Sequence, residues 1–184
     1  LPNSDPVHKV TIVPRGRALG LTWNLPTHDR HGFSRSESLD RIMVLMGGRI
    51  AEKIKFNEMT TGAGNDLERA TDIVRRMVCE YGMSRLGPIV FGKKEAPIFL
   101  GREFATHKDY SEKTAMQIDG EIKFIIDECY TKAEKLLRKN FSKIEKLAAQ
   151  LLEREILDGV EIREITGFPM PAPEAPPKEK EKKD

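Results

Sequence analysis

Residues 34–55 read SRSESLDRIMVLMGGRIAEKIK, and this stretch decides the fold class. Ser34 and Glu37 have the Ser-x-x-Glu form of a capping box, in which a hydroxyl and a carboxylate satisfy each other's backbone N–H groups at a helix start. Behind it Leu39, Ile42, Met43, Leu45, Met46, Ile50, Ala51 and Ile54 recur at mostly helical spacing. The spacing predicts a helix over 35–55. Gly47 and Gly48 sit in its middle, each costing about 1 kcal/mol relative to Ala, so a tightly packed neighbour is expected there.

Downstream the periodicity lapses between Phe56 and Asn65 and returns from Asp66. There Leu67, Ala70, Ile73, Val74, Met77, Val78 and Tyr81 share one face, and Gly82 supplies a stop. Residues 83–110 hold Gly87, Pro88, Pro97 and Gly101 without a sustained period, and predict an irregular connection with one short strand around Ile89 to Phe91. Ser111 caps a long helix to about Asn140, with Ala115, Ile118, Ile122, Ile125, Cys129, Ala133 and Leu136 as its stripe, reaching roughly 45 Å. A fourth helix opens at Ser142, and a short one covers Gly159 to Ile165.

Upstream lies the only strand-like patterning. Val10 and Ile12 alternate with polar neighbours, Pro14 to Gly16 breaks the run, and Leu19, Leu21, Trp23 and Leu25 recur at period two. The opposite face carries Ala18, Gly20, Thr22 and Asn24, small enough to admit another backbone. The expected fold is mainly α, of the α+β class: a small β-sheet near the N-terminus and a C-terminal helical subdomain made by the long helix and those after it. Residues 1–167 form the domain. Five of the eleven prolines then lie between Pro169 and Pro177, followed by a Lys/Glu run, so 168–184 is expected to be a disordered tail.

Composition limits the function. Lys plus Arg is 31 and Asp plus Glu 29, a net charge of +2 in 184 residues, which argues against a nucleic-acid partner. No run approaches the roughly 20 apolar residues of a spanning helix. Cys79 and Cys129 fall at helical positions without a Cys-x-x-Cys, and read as packed thiols of a reducing compartment. The histidines are His8, His28, His31 and His107; none are paired at i, i+4, and the loop pair His28 and His31 has no third candidate ligand at suitable spacing. A nucleophile elbow and a phosphate loop are both missing. Asp66 stands at a helix start, where the dipole favours a carboxylate, and by itself reads as a helix stabiliser. Glu52 by itself reads as a solvated or capped side chain at the edge of the core.

Four runs carry a resemblance. They are Pro6 to Gly16 (PVHKVTIVPRG) with Ala18-Leu19-Gly20, then Gly47-Gly48-Arg49-Ile50-Ala51-Glu52, then Thr60 to Thr71 (TTGAGNDLERAT). In this order they closely resemble the peptidase domain of the FtsH family of membrane-anchored, ATP-dependent zinc proteases, over essentially Leu1 to Ile165. The resemblance implies a helical metallopeptidase that hydrolyses polypeptides fed to it by a hexameric AAA ATPase ring, with zinc as catalytic cofactor and ATP bound on a separate domain. It implies further that a His-Glu-x-x-His helix gives two zinc ligands and the general base, and that Asp66 is the third ligand. Glu52 and Asn65 would support the site, while Leu19, Gly20, Leu21 and Thr22 would hold an extended substrate by adding it to a sheet edge. The parent protein would sit in a bacterial inner membrane with this domain on the cytoplasmic side, the membrane being reached only through segments outside this chain.

The chain also departs from the family pattern. It holds no His-Glu-x-x-His, and it starts at Leu1 rather than Met. It is therefore expected to be cut from a longer chain just after that helix, with no catalytic residue of its own and the general base upstream of Leu1. As an isolated piece it is expected neither to bind zinc tightly nor to cleave peptides, and to expose apolar surface near Gly47, Gly48 and the helix from Asp66. Lys53, where relatives often carry Glu, has no catalytic weight. Two other functional classes stand beside the protease: a non-catalytic scaffold or oligomerisation module of the same family, and an unrelated helical interaction module seamed by the long helix.

Overall fold

A computed structural model describes residues 1–14, 16, 19–25, 32–92 and 110–169. Its elements are β1 (Val7–Thr11), β2 (Leu21–Asn24), α1 (Arg35–Phe56), a single 3-10 turn (Thr61–Ala63), α2 (Gly64–Cys79), α3 (Glu112–Lys139), α4 (Phe141–Arg154), β3 (Ile156–Asp158) and α5 (Gly159–Thr166). The fold is mainly α with one small antiparallel sheet, as the sequence predicts. Two compact units divide it: residues 1–4 with 32–139, and 5–31 with 140–184.

The first unit is a three-helix core. α1 starts with both halves of its capping box made: the Glu37 N–H donates to Ser34 Oγ at 3.2 Å and the Ser34 N–H to Glu37 Oε2 at 2.7 Å. It ends at Asn57, whose φ of 53° is a left-handed conformation that asparagine tolerates better than most residues. Its stripe Ile42, Met46 and Ile50 packs with Ala70, Val74, Met77 and Val78 of α2 and Ile118, Ile125, Cys129 and Ala133 of α3. Burial pushes the Cys129 thiol up to about 11, with the neighbouring Glu128 charge adding to it, as suits a packed thiol. Asp40 is buried and accepts from the Asn3 backbone N–H at 2.8 Å and its side-chain amide at 3.2 Å, which ties the first residues to α1.

Beyond α2 a turn is fastened to α3. Glu121, 5% exposed, accepts from the Arg85 backbone N–H at 3.0 Å and its Nε at 2.9 Å, while the guanidinium lies 3.5 Å from the Phe124 ring centroid. Burial alone would raise the Glu121 carboxyl; the hydrogen bonds and charge of Arg85 outweigh it and hold it below the usual carboxylate range.

The second unit holds the sheet, in the order β2-β1-β3 with both pairings antiparallel. β1 faces β2 in the register Val10 to Thr22 and Thr11 to Leu21, with an irregularity between Val7 and Lys9. β3 pairs Leu157 with Val10 and buries it fully. Its last residue, Asp158, caps α5 by accepting from the Val160 and Glu161 N–H groups at 2.8 and 2.9 Å.

Several expectations need correction. The long helix belongs with α1 and α2, and it is α4 and α5 that gather on the sheet, so the chain divides after α3 rather than before it. No strand forms at Ile89 to Phe91; behind Gly87 and Pro88 the segment makes one isolated ladder-like bond, from the Phe91 N–H to the Cys79 carbonyl at 2.9 Å. α2 stops at Cys79, and Gly82 serves the following turn instead, with φ +59° and an added Cβ only 2.8 Å from Pro88 Cα. Apart from the helix's own nearby backbone, no described atom lies within 4 Å of a Cβ built on Gly47 or Gly48, so the expected tight packing there is not found among the described residues. Of the expected tail, Phe168 lies with its ring centroid 3.8 Å from the Lys143 ammonium; Met170 onward lies outside the described residues.

Candidate functional site

The carboxylates singled out in the sequence stand on either side of the loop joining α1 to α2, Glu52 on α1 and Asp66 in the first turn of α2. Glu52 projects from the last third of α1 and accepts from the Thr60 hydroxyl at 3.1 and 3.3 Å and from the Thr60 N–H at 3.4 Å. One turn earlier, Arg49 Nη1 donates to the Thr60 carbonyl at 2.9 Å. The two residues are three apart and therefore share a helix face. Of the two readings, solvated or capped, the structure favours the second: Glu52 holds the loop that leads to Asp66.

Thr60 passes that hold forward. Its φ and ψ of −98° and 170° are those of an extended N-cap, and its hydroxyl accepts from the Gly62 N–H at 3.2 Å. The 3-10 turn it caps runs directly into α2, with the Gly64 N–H donating to the Thr61 carbonyl. The sequence predicts a loop through Asn65, but α2 begins at Gly64. A capped turn of small residues propagates into a helix without the break that the lapse in hydrophobic periodicity suggested.

Asn65 and Asp66 consequently occupy the first turn of α2, Asn65 exposed and Asp66 half-buried. Ala63 stands at the N-cap without a side-chain hydrogen bond, so the first N–H groups have no side-chain acceptor there. Among the described residues the Asp66 carboxylate has neither a hydrogen-bond nor an ion-pair partner. A carboxylate without a protein partner among the described residues has an oxygen to give to a cation. It is one donor only: no group of three or more His, Cys, Asp or Glu among the described residues could hold a metal. The loop pair His28 and His31, and His107, lie outside the described residues, while His8 packs edge-on against Trp23 at 6.0 Å.

Leu19, Gly20, Leu21 and Thr22 belong to the other compact unit. Leu21 and Thr22 open β2, which is an edge strand with one side on β1 and no described strand on the other. All four of its residues are exposed, and Leu19 just before it is 82% exposed. Gly20 is required by close approach, since a Cβ there would come 2.7 Å from the Thr11 carbonyl oxygen. The small-residue face predicted from sequence therefore does admit a neighbouring backbone. Ala18 lies outside the described residues.

Arg49 and Thr60 were not singled out as site residues by sequence reasoning. The available signal was the Thr-x-Gly spacing of Thr60 and Gly62, which suits a hydroxyl-capped turn.

The model of peptidase family M41 matches residues 1–165. An ATP-dependent zinc metalloprotease FtsH from Acidobacterium capsulatum is 56% identical over 163 residues, covering 89% of this chain and 26% of the relative. The FtsH of Myxococcus xanthus is 48% identical over 192 residues, covering all of this chain and 30% of the relative, and that of Thermotoga maritima is 46% identical over 167 residues, 90% and 27%. The chain thus spans less than a third of the length of these curated relatives.

Proposed function

This chain belongs to peptidase family M41, and from that premise we propose that it is the part of a zinc metalloendopeptidase that supplies one metal ligand and the substrate-holding strand. The observation that carries the reading is the Asp66 carboxylate, half-buried in the first turn of α2 with no protein partner among the described residues. Two histidines and a general base would come from a His-Glu-x-x-His segment outside this chain. Zinc, when bound, supplies Lewis-acid polarisation of a peptide carbonyl.

The chain's own residues do the rest of what is proposed here. Asp66 gives a carboxylate oxygen to the metal from the first turn of α2. Asn65 flanks it in the same turn. Glu52 fixes the loop before α2 through Thr60. Leu19 to Thr22 hold an extended polypeptide by backbone pairing along the open edge of β2, which makes substrate choice depend little on side-chain identity. In the longer protein an ATPase ring of six subunits, anchored in a bacterial inner membrane with this domain on the cytoplasmic side, would deliver unfolded polypeptides. No helix among the described residues is long and apolar enough to cross a membrane.

The experiment compares this chain alone with the longer protein bearing the histidine segment. The chain alone is expected to hold no stoichiometric zinc and to leave casein intact. The longer protein is expected to do both, and to lose both on Asp66→Ala. Zinc and casein hydrolysis in the isolated chain, or a longer protein with zinc and no hydrolysis, would overturn the reading, the latter in favour of a scaffold.

A further inference from the structure

We propose that Arg49 and Thr60 are positioning residues for Asp66: one turn of α1 clamps the peptide at Thr60, and this clamp sets where the first turn of α2 lies. The inference rests on the reading of Asp66 as a metal ligand and adds two residues that the reading does not use.

The geometry is a closed hold on a single residue. Arg49 takes the Thr60 carbonyl at 2.9 Å, while Glu52 takes both the Thr60 hydroxyl, at 3.1 Å, and the Thr60 N–H, at 3.4 Å. Donor and acceptor of the backbone are thus both held from positions three apart on one helix face, so neither translation along α1 nor rotation about the chain leaves all of them intact. Thr60 then transmits the hold, because its hydroxyl accepts from the Gly62 N–H at 3.2 Å while donating to Glu52. An ionised carboxylate can only accept, and a backbone N–H can only donate, so the relay needs a group that does both at once. The Thr60 hydroxyl meets that requirement with one atom; valine has the same shape and neither capacity.

The path from Thr60 to Asp66 is short and contains little slack. Gly62 donates to Thr60, Ala63 is 7% exposed and seats the turn, and Gly64 donates to Thr61 as α2 begins. Gly62 and Gly64 are the two joints without side chains, so without the clamp the turn would be left to Ala63 alone. Since Asp66 has no side-chain partner of its own among the described residues, its placement follows from its backbone, and its backbone follows from this turn.

The test uses Thr60→Val, Thr60→Ser and Arg49→Met. In this chain, amide hydrogen exchange of residues 61–66 is expected to speed up about tenfold in Thr60→Val and Arg49→Met and to stay as in the parent in Thr60→Ser, while exchange in α3 is unchanged. In the longer protein with the histidine segment, zinc affinity from chelator competition, together with the visible bands of the Co(II)-substituted form, is the second readout. Affinity is expected to fall about 10- to 100-fold in Thr60→Val and Arg49→Met, with recovery in Thr60→Ser and KM for peptide unchanged. Unchanged exchange would overturn the clamp. Faster exchange with unchanged zinc affinity and Co(II) bands would overturn its role in placing Asp66. Should Asp66→Ala keep full zinc affinity, the metal-ligand reading fails and the positioning proposal falls with it, while the exchange data still report whether the clamp exists.

Discussion

The three-helix core and the β2 edge treat apolar side chains in opposite ways. In the first, Ile42, Met46, Ile50, Val74, Met77 and Ile125 are essentially inaccessible to water. In the second, Leu19, Leu21, Trp23 and Leu25 are 82%, 52%, 55% and 42% exposed. Both stripes follow the period of their element, so both look like core in the sequence. The difference lies in what faces them: α1, α2 and α3 cover one another, whereas among the described residues β2 is the last strand of its sheet and has β1 on one side only. The helices bury their stripes against one another, and the strand keeps its own exposed.

The contrast can be broken first at its buried end. Ile125→Ala removes a fully buried side chain from the meeting point of α1, α2 and α3, and is expected to destabilise the protein by about 2–5 kcal/mol in urea unfolding. A loss under 1 kcal/mol would show that this core is looser than its burial implies.

Glu121→Gln comes next. It takes the charge from the clasp that holds Arg85, and because the arginine side is 60% exposed and hydrated the expected loss is about 1–3 kcal/mol. The carboxyl titrates below its unfolded value of 4.5, so its contribution is present above that pH and is lost as the pH falls through the folded value. Acid unfolding followed by circular dichroism should therefore show a weaker pH dependence below about 4.5 in Glu121→Gln than in the parent. Identical acid transitions would remove Glu121 from the account.

The smallest effect on stability is expected at the open edge. Trp23→Ala should change stability by no more than about 0.5 kcal/mol, since the ring's one ring contact among the described residues is the edge of His8. The same variant should weaken binding of a fluorescently labelled extended peptide in anisotropy titrations of the longer protein. A large loss of stability with unchanged peptide binding would make β2 a structural strand and reverse its place in the comparison.

How far the sequence shows all this depends on the range of the interaction. The capping box of Ser34 and Glu37 and the stripes of α1, α2 and α3 are local patterns, and they place those helices to within a few residues. β3 is not legible: three residues carry no alternation, and their partners Lys9, Val10 and Thr11 lie at the other end of the chain. The cap that follows it is legible after all, since Asp158 and Glu161 repeat the spacing of a capping box. At the site, Asp66 and Glu52 become candidates only through resemblance, because a carboxylate at a helix start or at a core edge is ordinary. The hold of Arg49 on Thr60 joins a helix face to a loop carbonyl, a contact that periodicity cannot register. Gly47 and Gly48 show the converse, a sequence signal for close packing that meets no neighbour among the described residues.

The central claim is that Asp66 is the carboxylate this chain gives to a zinc ion. Anomalous diffraction at the zinc edge, from crystals of the longer protein containing the histidine segment, tests it most directly. The account predicts one peak at about 2.0–2.2 Å from an Asp66 carboxylate oxygen. A fully occupied zinc peak with Asp66 outside ligand distance and another carboxylate in its place would contradict it.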